Sequence, residues 1–210
     1  SFYWTRGVVT SLRDNDLEIY SLATMGYTQS FVRLTNRSGN DYQPRLSPDT
    51  QKISFTSSRS GDLEIWVMSW DGADPLRLTW SIGYDGEAVW SPDGKRLAFV
   101  SKRTGGYEIF TMGSDGTNPT QLTYTGGKAF SPTWSPDGAQ IAFVMAVDDS
   151  HGMIMKVNAN GGALDPVSAP LYLVSDLDWS PLGSRLAFDY DSNEDGWLEA
   201  GIIDLGTNVI

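Results

Sequence analysis

The sequence reads as an all-β protein, a β-propeller built from four-stranded antiparallel blades. Three repeating markers carry that reading. Ser47-Pro48-Asp49 returns as Ser91-Pro92-Asp93-Gly94, Ser135-Pro136-Asp137-Gly138 and Ser180-Pro181-Leu182-Gly183, at steps of 44, 44 and 45 residues. Leu17-Glu18-Ile19-Tyr20 returns as Leu63-Glu64-Ile65-Trp66 and Tyr107-Glu108-Ile109-Phe110, with a weaker copy at Met153-Ile154-Met155. Leu34-Thr35 returns as Leu78-Thr79 and Leu122-Thr123. All three run in one phase, and a period of this length marks a repeat architecture. The 22 Gly, 10 Pro, 8 Trp, 9 Tyr and 8 Phe suit short strands joined by tight turns.

One unit shows each element. Residues 86–91 form a first strand ending at Trp90-Ser91. Pro92-Asp93-Gly94 makes the turn, since Pro presets φ and Gly accepts a positive φ. Arg96-Leu97-Ala98-Phe99-Val100 is a second strand, apolar enough to be covered on both faces. Ser101 to Gly106 turns the chain into a third strand, Tyr107 to Met112. Ser114-Asp115-Gly116-Thr117 is a hairpin turn, and Pro119 to Leu122 leads a fourth strand, where proline fits an unpaired edge. Four antiparallel strands in such a unit make a propeller blade.

The pattern Trp-Ser-Pro-Asp-Gly, apolar strand, Ser-x-Arg-x-Gly, Glu-Ile-aromatic, Asp-Gly, Leu-Thr resembles the TolB-like (WD40-like, PD40-type) propeller repeat. The resemblance covers essentially all of residues 1–210, read as a single propeller domain. The units fall at 8–35 (partial), 41–79, 85–123, 129–174 and 175–207 (partial), about four and a half blades. The family closes with six blades, so the resemblance implies a piece of a larger ring. The absence of an initiating Met also fits a piece of a longer product. The alternative is a five-bladed ring with degenerate end strands. The same blades occur in binding proteins and beside peptidase domains, so the repeat specifies fold better than function.

Composition narrows the function classes. Fifteen Lys and Arg against 26 Asp and Glu give a formal charge of −11. That balance opposes nucleic acid and anionic membrane as partners. No apolar run is long enough to span a bilayer. With no cysteine, disulfides, thiolate metal sites and a Cys nucleophile are excluded from these residues. The lone histidine, His151, adjoins Ser150, and neighbours on an extended chain point apart. No catalytic residue is assigned, and the chain is read as not an enzyme.

The remaining constellations divide into scaffold and site. Arg13 with Glu18, Arg59 with Glu64 and Arg103 with Glu108 are expected to pair across their hairpins as blade staples. Asp49, Asp93 and Asp137 are turn residues, and Trp90, Trp134 and Trp179 (Leu46 in the equivalent place) pack between blades. The last unit departs from the repeat: Asp191, Asn193, Asp195 and Glu199 follow D-x-N-x-D-G-x-x-E. With the Trp197 backbone carbonyl, these oxygens are candidates for a structural Ca²⁺ site. The pattern resembles the Ca²⁺ loops of integrin-type propellers. A solvated acidic hairpin is the competing interpretation.

In a propeller the first strand of each blade lines the channel, and the inter-blade loops open on one side. That side collects Asp41, Tyr42, Tyr84, Asp85, Phe130 and Asp176, a mix of aromatic rings and carboxylates. Loops on a rigid scaffold are where binding residues concentrate. The acidic bias suits a protein, a peptide or a cationic group. The leading expectation is a monomeric, non-catalytic module for protein or peptide binding, periplasmic or extracellular. The alternative is the propeller accessory domain of a prolyl-oligopeptidase-type or tricorn-like hydrolase whose catalytic domain lies outside these residues.

Overall fold

In three blades a turn that locks itself joins the first strand to the second. In the computed structural model, which describes residues 5–14, 16–25 and 28–206, the Ser91 hydroxyl donates to Asp93 Oδ1 at 2.7 Å. The same Oγ accepts the Arg96 N–H at 2.9 Å, and Gly94 takes a φ of 69°. Ser47/Asp49 and Ser135/Asp137 repeat the bond at 2.6 Å. The turn thus fixes where the second strand starts in these three units.

The strands are β1 (Thr5–Asp14), β2 (Asp16–Met25), β3 (Thr28–Arg33), β4 (Asp41–Leu46), β5 (Lys52–Ser57), β6 (Glu64–Ser69), β7 (Leu76–Arg77), β8 (Asp85–Trp90), β9 (Arg96–Ser101), β10 (Glu108–Gly113), β11 (Thr120–Gln121), β12 (Ala129–Trp134), β13 (Gln140–Ala146), β14 (His151–Asn158), β15 (Asp165–Pro166), β16 (Leu171–Tyr172), β17 (Ser175–Trp179), β18 (Arg185–Tyr190) and β19 (Glu199–Asp204). They form five antiparallel sheets: β1–β3, β4–β7, β8–β11, β12–β16 and β17–β19.

This corrects the expected count of four and a half blades from a six-bladed ring: five blades are present. The outer strands β7, β11 and β15 are only two residues long. The last sheet lacks this outer strand, while the first keeps a six-residue outer strand, β3, and lacks the innermost one; each three-stranded unit counts as a blade. The figure of six came from the family resemblance and not from the residues.

The core lies between the sheets. Four apolar clusters each bridge consecutive blades, for example Ala98, Val100 and Ile109 of the third with Trp134, Ile141 and Phe143 of the fourth. Phe55, Phe99, Phe143 and Phe188 hold one position on successive second strands, all at most 2% exposed. Rings of this size bury ~150–250 Å² each and dominate such interfaces. The tryptophans add direction: Trp90 Nε1 donates to the Arg45 carbonyl at 3.1 Å, and Trp134 Nε1 to that of Val89 at 3.2 Å, both on the preceding blade. Trp179 instead bonds Gly183 O within its own turn at 3.0 Å.

Candidate functional site

The innermost strands β4, β8, β12 and β17 each break register in the middle, at Tyr42/Arg45, Gly86/Val89, Phe130/Thr133 and Ser175/Asp178. Each break carries one non-glycine residue in the left-handed region: Gln43 (φ 51°), Glu87 (φ 55°), Ser131 (φ 50°) and Asp176 (φ 47°). The extra residue of a β-bulge re-aims its side chain. Here all four are turned onto one small cavity of about 130 Å³, lined also by Arg45, Ala88, Val89, Pro132 and Leu177. It continues along the same strands into a wider space of about 720 Å³ walled by Trp90, Trp134 and Asp178. This is the propeller channel.

The bulges are linked across blades. The Glu87 N–H donates to Gln43 Oε1 at 3.2 Å, and the Ser131 N–H to Glu87 Oε2 at 2.7 Å. Thr56 Oγ1 also donates to Gln43 Oε1, at 3.1 Å. The Gln43 and Glu87 side chains therefore satisfy the strained backbone of the next blade. Burial pushes the Glu87 carboxyl above the usual carboxylate range, and nearby Asp176 pushes it further. Tyr84 reaches in to donate to Glu87 Oε1 at 3.4 Å. Glycine at 86 permits this, because a Cβ there would lie 2.5 Å from the Tyr84 hydroxyl. Burial, reinforced by Glu87, holds the Tyr84 phenol above its ordinary value. Glu87 and Asp176 set two carboxyl groups against Arg45 at the cavity, with an amide and a hydroxyl beside them. Such a lining can accept hydrogen bonds from ammonium, guanidinium or amide groups.

The loop-face residues separate into two groups. Tyr42, Tyr84 and Phe130 are half-buried and Asp176 is exposed. Tyr84, Tyr107 and Phe130 form a row of rings with centroids 5.6 and 5.0 Å apart, and Lys102 lies 5.0 Å over Tyr107. Asp41 and Asp85 are fully buried and present no carboxylate to solvent. Asp41 is paired with Arg59 at 2.6 Å and Asp85 with Arg103 at 2.8 Å.

Those pairs also revise the expected Arg-to-Glu staples. Arg59 and Arg103 are held back by the hydroxyls of Ser57 and Ser101, at 2.8 Å each, and so reach the innermost strand instead of the third. Glu64 takes Arg77 at 2.5 Å, and Glu18 takes Arg33. The side chain of Arg13 lies outside the described residues. At the next junction Ala129, Val147 and Gln121 stand where Asp85, Arg103 and Arg77 stood, and Glu108 remains. Burial opposes its ionisation, but bonds from Thr123, Thr125 and the Gly127 N–H outweigh that and hold its carboxyl low. Carboxylate and arginines thus disappear together.

The acidic hairpin is folded on itself. Asp191 is buried, and its carboxylate accepts the N–H groups of Asn193 (3.2 Å), Asp195 (3.3 Å) and Gly196 (2.7 Å). Asp195 Oδ1 accepts the Trp197 N–H at 2.9 Å, and Ser192 donates to Glu199. Trp197 is exposed. Among the described residues no three His, Cys, Asp or Glu side chains converge on a point where a metal would sit. His151 opens β14, and its Nδ1 meets both Ser150 Oγ (3.3 Å) and Asp148 Oδ1 (3.0 Å). The two contacts share one nitrogen, whereas a triad needs opposite ones. The neighbours thus do touch, as a loop cap.

Blades stacked around a channel lined by their first strands define a β-propeller domain. The chain belongs to the TolB β-propeller domain family (PD40), which matches residues 9–204. A 68-residue stretch is 37% identical to an uncharacterized protein of Agrobacterium fabrum, covering 32% of this chain and 22% of that protein. Among solved structures, TolB from Acinetobacter baumannii superposes with a TM-score of 0.80 at 24% identity, over 97% of this chain and 50% of that one. A TolB-type protein from Agrobacterium tumefaciens gives 0.75 at 18% identity, over 97% and 86%. A puromycin-hydrolyzing peptidase of Mycobacterium tuberculosis gives 0.67 at 16%, over 99% and 38%. The chain therefore spans about half the length of the Acinetobacter TolB and less than a quarter of its Agrobacterium fabrum relative. No helix among the described residues is long and apolar enough to cross a membrane.

Proposed function

We propose that this chain is a non-catalytic propeller module of an exported protein, periplasmic or extracellular, and that it binds a protein or peptide at the channel mouth. The bulge ring carries this reading. Four non-glycine residues hold left-handed φ angles at one place in four successive blades, all facing one cavity. Strain of this kind costs on the order of 1–3 kcal/mol per residue and gathers at functional sites. The acidic lining favours a partner that presents a lysine, an arginine or a chain amide. Tyr84 and Phe130 offer ring surface beside the entrance, and Asp176 an exposed carboxylate. The module acts as a monomer.

The test is a fluorescence-anisotropy panel of short peptides of opposite charge, against wild type and the Glu87→Gln/Asp176→Asn double variant. Lysine-bearing peptides should bind, and the double variant should weaken them about tenfold, or ~1.4 kcal/mol. Equal binding of acidic and basic peptides, or an unchanged affinity in the variant, contradicts the proposal.

The fit to the propeller of a puromycin-hydrolyzing peptidase supports a second reading, in which the channel orients substrate for a hydrolase domain. A hydrolase domain in the parent reading frame, with peptidase turnover altered by the same double variant, would favour it.

A further inference from the structure

A second pocket differs in character from the channel. It measures about 360 Å³ and is lined by Arg37, Ser38, Arg59, Ser60, Trp66 and Pro75. Arg37 and Ser38 come from the loop between β3 and β4, Arg59 and Ser60 from the β5–β6 turn, and Trp66 from β6. In a chain of formal charge −11, this lining holds two arginines and no carboxylate.

Two of the donors here, Trp66 Nε1 and Arg37, have no protein acceptor among the described residues, whereas the Ser60 hydroxyl donates to the Asp62 carbonyl at 3.4 Å. Trp66 Nε1 is buried and has no partner. An indole N–H only donates, and a buried donor left unpaired costs roughly 1–3 kcal/mol. Arg37 is exposed and, among the described residues, makes no ion pair. Arg59 is partly committed: Nη2 holds Asp41 at 2.6 Å, Nε holds Ser57, and its guanidinium stacks 5.1 Å from the Trp66 ring. That stack fixes the indole, while the free positive charge of the pocket is that of Arg37.

The next blade supplies an internal comparison. Forty-four residues on, Arg37 becomes Ser81, Ser38 becomes Ile82 and Trp66 becomes Phe110, while Arg59 and Pro75 persist as Arg103 and Pro119. Ser81 is spent on Asp85, at 2.7 Å. The residues kept are those that hold the fold, and the residues gained at this junction are donors. Drift in a scaffold position has no reason to place a cation, a hydroxyl and an unpaired N–H around one pocket.

We propose that this pocket is an oxyanion site that takes a phosphate or a carboxylate, with Trp66 Nε1, Arg37 and the Ser38 hydroxyl as its donors. It is independent of the channel and of the function assigned there.

The experiment is an ¹⁵N–¹H titration of the folded chain that follows the Trp66 indole resonance, identified by its loss in Trp66→Phe. Phe110 occupies the same place in the next blade, so that variant is compatible with the fold. Inorganic phosphate and acetate are titrated separately, with sodium chloride at matched ionic strength as the third arm. A one-charge site of this kind should saturate on the order of 1–10 mM. The indole resonance should move downfield and saturate in the phosphate or the acetate arm, and the arm that saturates first identifies the group. Arg37→Ala, an exposed change, should weaken that response about tenfold. No movement in either arm, an equal movement in chloride, or a response untouched by Arg37→Ala would overturn the site.

Discussion

Deleting one member of the Asp85–Arg103 pair should harm the protein more than deleting both. Asp85 is fully buried, and its Oδ2 receives Arg103 Nη2 at 2.8 Å and the Ser81 hydroxyl at 2.7 Å, while Oδ1 has no partner. Arg103 is 20% exposed and lies over Phe99 and Phe110 at 5.3 and 5.0 Å. In Arg103→Val a buried carboxylate keeps only a serine, at a cost of about 3–5 kcal/mol. In Asp85→Ala the guanidinium keeps Ser101, two rings and some water, so the cost drops to roughly 2–3 kcal/mol. The double variant recreates the Ala129/Val147 combination that the next junction already tolerates. It should cost only about 1–3 kcal/mol, a coupling of some 3 kcal/mol or more between the two sites. Urea unfolding followed by tryptophan fluorescence measures all three, and each kcal/mol should move Tm by roughly 2–4 °C in a chain of this size. A double variant as unstable as the sum of its parts would refute the idea that these residues are gained and lost as one unit.

Burial holds the carboxyls of Asp41, Glu64 and Glu87 above their ordinary values. Each binds its proton more readily folded than unfolded, so stability should rise as pH falls from neutral through their folded pKa values, levelling off near the unfolded value of about 4. Asp49, Asp93, Asp137 and Asp148 are held low by local hydrogen bonds, and their contributions are lost at still lower pH. Tm should therefore peak on the acid side of neutrality, and Glu87→Gln should flatten the approach to that peak; a steady fall in Tm from pH 7 to 5 would reverse the sign of this account. Trp134→Phe keeps the packing but leaves the Val89 carbonyl without its donor, and should cost about 1 kcal/mol by urea unfolding. Because the Asp191 carboxylate is occupied by backbone N–H groups, millimolar Ca²⁺ should leave Tm unchanged in a thermal melt; a clear rise would show that the hairpin opens to coordinate the ion.

The blades were legible because their markers are local. Ser-Pro-Asp-Gly is a turn wherever it occurs, and Phe99 in an apolar run announces a covered strand. The ion pairs were not legible, because Asp41 and Arg59 meet only across the paired strands β4 and β5, and five-residue spacing pointed to the nearer glutamate. The bulge ring was hidden for a different reason. Gln43, Glu87, Ser131 and Asp176 recur in phase, but their side chains differ, and Gln43 and Ser131 precede prolines. A residue before proline is normally driven to extended geometry, so local rules argue against the left-handed φ found there.

Hydrogen exchange with and without a bound lysine-bearing peptide bears most directly on the channel as the working part of this module. The account predicts new protection confined to the inner strands, 41–46, 85–90, 129–134 and 175–179, greatest around Glu87. Protection on the third strands β6, β10 and β14 with the inner strands unchanged would place the ligand on the rim and contradict it.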